Sequence, residues 1–192
     1  MAVNTLEDLL VEQIQDLYDA EKQLVRALPK MAKGASSEEL REAIEEHLAE
    51  TRNQVTRLEE VFKELGHKAE GKTCKAMKGL IEEGSEALEE KAGETFTDLA
   101  IIAAAQRVEH YEISAYGTAS AIAKQLDRQA VVDLLKATEE EESAADSKLT
   151  EIAEMLMGDF ASASGLDDED AGTPQRKEAG AQKQKAAKSG TR

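Results

Sequence analysis

The sequence has no tryptophan, one cysteine and two prolines, and aromatic residues make up only 3 % of its 192 positions. With Cys74 alone, no intrachain disulfide can form, which fits a reducing compartment. Neither Cys-x-x-Cys nor the Cys/His spacing of a structural zinc site occurs. No apolar run approaches ~18 residues, so no bilayer-spanning helix is expected. The opening MAVNTLEDLLVEQ lacks a basic stretch and an apolar signal core, so a cytoplasmic location is expected. Basic charge is scarce as well, with 24 Lys and Arg against 40 Asp and Glu and a net charge of −16. A protein that gains affinity by neutralising phosphates needs the opposite balance, so nucleic acid is not an expected partner, and neither is a membrane.

What is present is helix-forming. Ala, Leu, Glu, Lys, Gln and Arg dominate, a composition that favours long helices over strands. The surplus acid lies in this helical part, since residues 162–192 hold five acidic and six basic side chains. Most of it reads as a solvated surface, and it also creates a field that draws cations inward.

Five helical stretches are legible. The first runs from about Thr5 to Lys33 on a stripe of Leu6, Leu10, Leu17, Leu24 and Leu28. Thr5 and Asp8 form a capping-box pattern, Pro29 is expected to bend or end the helix locally, and Gly34 closes it. The second follows a Ser36–Ser37 cap and runs to about Leu65, with Leu40, Ile44, Leu48, Thr51, Val55, Leu58 and Phe62 on one side. Residues 66–95 form a long, glycine-rich connection in which Met77, Leu80, Ile81 and Leu88 mark a short amphipathic helix. A connection of that length can cross a whole bundle, whereas adjacent antiparallel helices need only 2–8 residues. The last two helices run from about Phe96 to Leu126 and from about Arg128 to Met157. From Ala161 onward the apolar rhythm stops, and GLDDEDAGTPQRKEAGAQKQKAAKSGTR reads as a disordered tail.

Carboxylates interrupt the stripes. Glu21 lies four residues after Leu17 and three before Leu24. Glu109 lies seven after Ile102 and four before Ile113. Glu142 lies midway between Leu135 and Leu149, and Glu50 sits nearer the edge of the face shared by Ala43, His47, Gln54 and Val61. A buried, unpaired carboxylate costs several kcal/mol (~2–7 even for a neutral polar group), so four of them at one level imply a cation between them. Small neighbours at Ala20, Thr51, Ala105 and Ala145 leave room for ions. Spacings of three and four bring a second ligand to three of the helices: Gln54 behind Glu50, Glu112 behind Glu109 and Asp146 behind Glu142. His47, one turn before Glu50, is a candidate partner behind the ligands. His110 points about 100° away from Glu109 and belongs to the surface. Such an oxygen-rich set suits hard cations.

The run QRVEHYEISAYGTA (106–119) resembles the third core helix of rubrerythrin-type ferritin-like proteins, whose EHYE segment supplies two metal-binding glutamates. LEDLLVEQIQDLYDAEKQLVRALPKMA, HLAETRNQVTRLEEVF and the acidic start of the last helix resemble the YciE/YciF family of bacterial stress-response proteins, over about residues 4–158. Ferritin-like di-metal sites take one Glu from each of two helices and Glu-x-x-His from the other two. The resemblance therefore implies Glu21 and Glu109 as the single acids, with Glu50 and Glu142 bridging. The chain departs from that pattern, since Asn53 and Ala145 stand where both histidines would be, which moves the metal preference toward harder ions.

The sequence thus predicts an all-α, ferritin-like four-helix bundle over residues 1–160, with a crossover helix and a tail over 161–192. It implies a stress-associated protein that holds two iron or manganese ions through Glu21, Glu50, Gln54, Glu109, Glu112, Glu142 and Asp146. That reading acts on peroxide or sequesters metal, and the resemblance adds a homodimer. The competing reading is a metal-free helical scaffold. It requires the acids to lie apart or to pair with Arg52, Arg57, Arg107 or Lys148.

Overall fold

A computed structural model describes residues 3–89 and 93–165. Its five helices are α1 (Leu6–Gly34), α2 (Glu38–Glu64), α3 (Lys75–Glu89), α4 (Glu94–Gln125) and α5 (Gln129–Ser164), and there is no strand among the described residues. The Thr5 hydroxyl accepts from the Asp8 amide while Asp8 reaches back to the Thr5 amide, so the predicted capping box starts α1. Ser37 caps α2 through the Leu40 amide. Gly66, at φ +74°, takes the left-handed turn that ends it.

α1 pairs with α2 and α4 with α5 as two helical hairpins, joined side by side through α2–α5 and α1–α4 contacts. The long connection crosses from one hairpin to the other, and α3 within it lies against α1 and α4. This is the ferritin-like order. Because α3 covers what would be its outer side, α4 buries residues on more than one face, among them Asp98, Ile101, Ala104, Val108 and Glu112. Among the described residues no helix is long and apolar enough to cross a membrane.

One helix end differs from expectation. α1 runs through Pro29 to its expected close at Gly34, because Leu28 and Ala32 on either side are buried in the core while Pro29 itself faces solvent. α5 continues past Met157 to Ser164, where Gly165 turns left-handed at φ +67°. The extension is held by Phe160, which packs edge-on against Phe96 of α4 at 5.1 Å between ring centres. Residues 161–164 of the expected tail therefore belong to α5, and 166–192 lie outside the described residues.

The apolar interior falls into two clusters. One gathers Leu10, Ile14, Leu17, Leu58, Phe62, Tyr116 and Leu135, and the other Leu24, Leu40, Ile44, Ile101, Ile102 and Leu149. Between them, on every long helix, stand polar residues that are buried: Glu21 on α1, His47, Thr51 and Gln54 on α2, Glu109 and Glu112 on α4, and Thr138 and Glu142 on α5.

Candidate metal centre

Glu21, Glu112 and Glu142 have no solvent exposure, and Glu109 has 2 %. Each sits on its helix one or two turns from an apolar residue of either cluster, so the packing that buries the leucines carries the acids in with them. His47, Glu109, Glu112 and Glu142 each direct one ligand atom to a common point, all four within 4.8 Å of one another. His47 Nε2 is 3.6 Å from Glu109 Oε1 and 3.8 Å from Glu142 Oε2. Gln54 donates to Glu142 Oε1 and, at 3.1 Å, to Glu141 Oε2. Glu21 Oε1 accepts from the Tyr116 hydroxyl, which is itself fully buried.

Hydrogen bonding then runs out. Glu21 Oε2, both nitrogens of His47, Gln54 Oε1, Glu109 Oε2, both oxygens of Glu112 and Glu142 Oε2 are buried without a hydrogen-bond partner. They are the only such side-chain atoms among the described residues, and all lie in this one layer. Buried polar groups are almost always satisfied in folded proteins, so a concentration of orphans at one place marks something missing from the protein alone.

Electrostatics agree. Burial pushes the Glu21, Glu109 and Glu112 carboxyls well above the usual carboxylate range. The neighbouring carboxylates push them further: Glu142 beside Glu21, Glu142 and then Glu21 beside Glu109, and Glu21 and then Glu142 beside Glu112. Burial also raises Glu142, though its contact with Glu109 and the nearness of His47 hold it back. Glu109 and Glu142 therefore act as a dyad that keeps a proton where an isolated glutamate would lose it. Like-charged groups crowded together in this way bind protons or cations.

The bases do not neutralise these acids. Arg57 forks onto Glu141 with both contacts at 2.7 Å and also donates to Thr138. Lys148 pairs with Glu46, and Arg107 donates to the backbone of Ala103. The pairing required by a metal-free scaffold is not formed at Glu21, Glu109, Glu112 or Glu142.

Of the residues expected from sequence, the structure brings Glu21, Gln54, Glu109, Glu112 and Glu142 into one layer. Glu50 is not in it: its side chain is 48 % exposed and reaches only His47 Nδ1, at 3.6 Å. Asp146 is not in it either, being held by Gln106 at 3.1 Å and by His110 at 3.3 Å on the outside of the α4–α5 pair. The histidine assigned a supporting part, His47, occupies the centre. The signal was available, because His47 is seven residues before Gln54 and four before Thr51, on the line of buried positions. The donor set of one imidazole, one amide oxygen and four carboxylates fits a transition-metal ion.

Residues 5–162 match the domain family described as a domain of unknown function, DUF892. The protein YciF of Escherichia coli strain K12 is 46 % identical over 154 residues, which is 80 % of this chain and 93 % of that protein. The crystal structure of the E. coli stress protein YciF superposes with a TM-score of 0.79 at 44 % identity, covering 81 % of this chain and 99 % of that one. YcfI of Rhodopseudomonas palustris gives 0.76 at 45 % identity over 77 % and 94 %. The fold alone is shared with a two-domain protein of Anabaena variabilis that contains a ferritin-like domain. There the TM-score is 0.52 at 13 % identity, over 93 % of this chain and 42 % of that one. The chain belongs to the DUF892 family, the family of YciF.

Proposed function

We propose that this chain is a ferritin-like metal protein holding two ions, iron or manganese, and that it serves oxidative-stress protection or metal handling. One observation carries the reading: every buried, unpartnered side-chain polar atom among the described residues lies in the layer formed by α1, α2, α4 and α5. His47, Glu109, Glu112 and Glu142 would hold one ion, and Glu21 and Gln54, whose buried oxygens are also unpartnered, would help hold a second. A redox-active metal held there would supply electron transfer to oxygen or peroxide. The protein's own part is to exclude bulk water with the two apolar clusters and to tether Glu21 through the Tyr116 hydroxyl. Glu112, tied by no hydrogen bond, is free to shift as charge at the site changes. The stress role is supported by relationship, since the E. coli relative is described as a stress protein.

The test is stoichiometry. Apo protein is loaded anaerobically with Fe(II) or Mn(II) and desalted, and ions per chain are counted beside a Glu112→Ala/Glu142→Ala variant. About two ions per chain in the wild type, lost in the variant, is the expected result. An absence of retained metal in the wild type would overturn the reading.

A further inference from the structure

A cavity of about 330 Å³ lies where α3 crosses α1 and α4, within the ~300–1,000 Å³ range of small-molecule sites. Its walls are Leu24 and Leu28 of α1, Ile44 of α2, Leu80 and Ile81 of α3, and Val108 of α4. Small residues keep it open, with Ala27, Gly84 and Ala104 at the crossing. At its floor is Glu109, whose Oε2 is buried and unpartnered, so the cavity reaches the carboxylate layer.

The rim decides what would fit. Of the polar side chains lining the cavity, Gln23 is bonded to Asp19 and to the Cys74 carbonyl, and Ser85 to the Ile81 carbonyl. Arg26 and Lys30, one turn apart on α1, are exposed and have neither an ion pair nor a hydrogen bond among the described residues. An apolar bore with a cationic mouth matches a molecule with an aliphatic chain and an anionic head.

We infer that this cavity binds an aliphatic monocarboxylate of medium chain length, its head on Arg26 and Lys30 and its chain running inward between α1, α3 and α4 toward Glu109. The site is built from side chains and needs no metal, so it stands apart from the metal reading. A free-standing alcohol of the same length shares the chain but not the head, which separates the two contributions.

The experiment titrates decanoate and decanol calorimetrically into the full chain as purified. Saturable binding of one decanoate per chain, tighter than decanol, is expected. Arg26→Gln/Lys30→Gln should weaken decanoate roughly tenfold and leave decanol unchanged. Ala27→Leu, which fills the bore from α1, should abolish binding of both, and Ser85→Leu does so from α3 if the first variant melts early. Absence of saturable decanoate binding would overturn the inference, as would wild-type binding in both filled variants. Decanol binding as tightly as decanoate would overturn the cationic head site. Iron is counted in the same variants. Ala27→Leu should keep the wild-type count, so a failure here leaves the metal reading standing, and a failure of metal uptake leaves this one.

Discussion

Glu112 is an expensive way to fill a helix interior, because it is fully buried and neither oxygen has a hydrogen-bond partner. In the apo protein that expense should be measurable. Glu112→Leu is expected to raise apo stability by about 1–3 kcal/mol at pH 7, worth roughly 2–4 °C of melting temperature per kcal/mol for a chain of this size. The same variant should lose metal uptake, a combination that simple repacking does not produce. The pH dependence follows with a definite sign. The folded-state values of Glu21, Glu109 and Glu112 lie above the ordinary glutamate value of 4.5, so the folded state binds more protons than the unfolded chain above that pH. The layer's stability contribution is thus complete below about 4.5 and is lost as pH rises through the elevated values. Chemical denaturation across pH should show the gap between Glu112→Leu and wild type closing as pH falls toward 4.5. Metal-loaded wild type should behave oppositely, since ligands must be deprotonated to bind. Three acids were readable from sequence because apolar residues flank Glu21, Glu109 and Glu142 at helical spacing on both sides. Glu50 and His47 were exchanged in importance. They lie about 60° apart on the helix circumference, and with apolar residues sparse on the middle of α2, only the steps from His47 to Thr51 and Gln54 favour the histidine as the inward one.

At the scale of elements, the join between the two hairpins rests on a residue that no sequence pattern marked. Asp98, on the first turns of α4 and 2 % exposed, accepts from the Ser36 and Ser37 amides at 2.8 Å each. A carboxylate from one hairpin thereby satisfies the free amides and the positive end of α2 in the other. Asp98→Ala should cost about 2–3 kcal/mol, the worth of hydrogen bonds to a charged group plus the buried amides left behind. Asp98→Asn, which keeps one acceptor, should cost less, with equilibrium urea denaturation separating the two. Hairpin order, the capping box at Thr5 and the crossover were legible because they depend on neighbours within a few residues. The Asp98 bond joins positions about sixty residues apart, and the extension of α5 depends on Phe96 meeting Phe160. Such contacts exist only once the fold has formed. The cysteine is similarly explained by its surroundings. Cys74 is buried, in contact with the Tyr111 hydroxyl at 3.0 Å, and burial raises its thiol, so it should resist alkylation in the native protein.

For the whole molecule, the carboxylate layer divides a core that in an ordinary bundle would be continuous. On α1 it separates Leu17 from Leu24, on α2 Ile44 from Leu58, on α4 Val108 from Tyr116 and on α5 Leu135 from Leu149. Carboxylates from α1, α4 and α5 crowd together at that level when no cation is present, with only His47 and Gln54 of α2 set against them, so the layer joins the two apolar clusters less firmly than continuous apolar packing would. A cation bound at the layer would turn repulsion into a four-helix cross-link. With free metal a hundredfold above its Kd, linkage adds about 2.7 kcal/mol, which is roughly 5–11 °C in melting temperature. Native-state hydrogen exchange should show more than this uniform gain. In the apo protein, amides packed on the Leu24–Ile44–Leu149 cluster and those packed on the Leu17–Leu58–Leu135 cluster should open with different free energies, as two cooperative units. On metal binding the two values should converge, because opening either half would then break the same site. Equal exchange free energies in the apo protein would mean that the backbone alone couples the halves. The metal would then act as a local ligand of α4 and α5 and not as the fastener of the bundle.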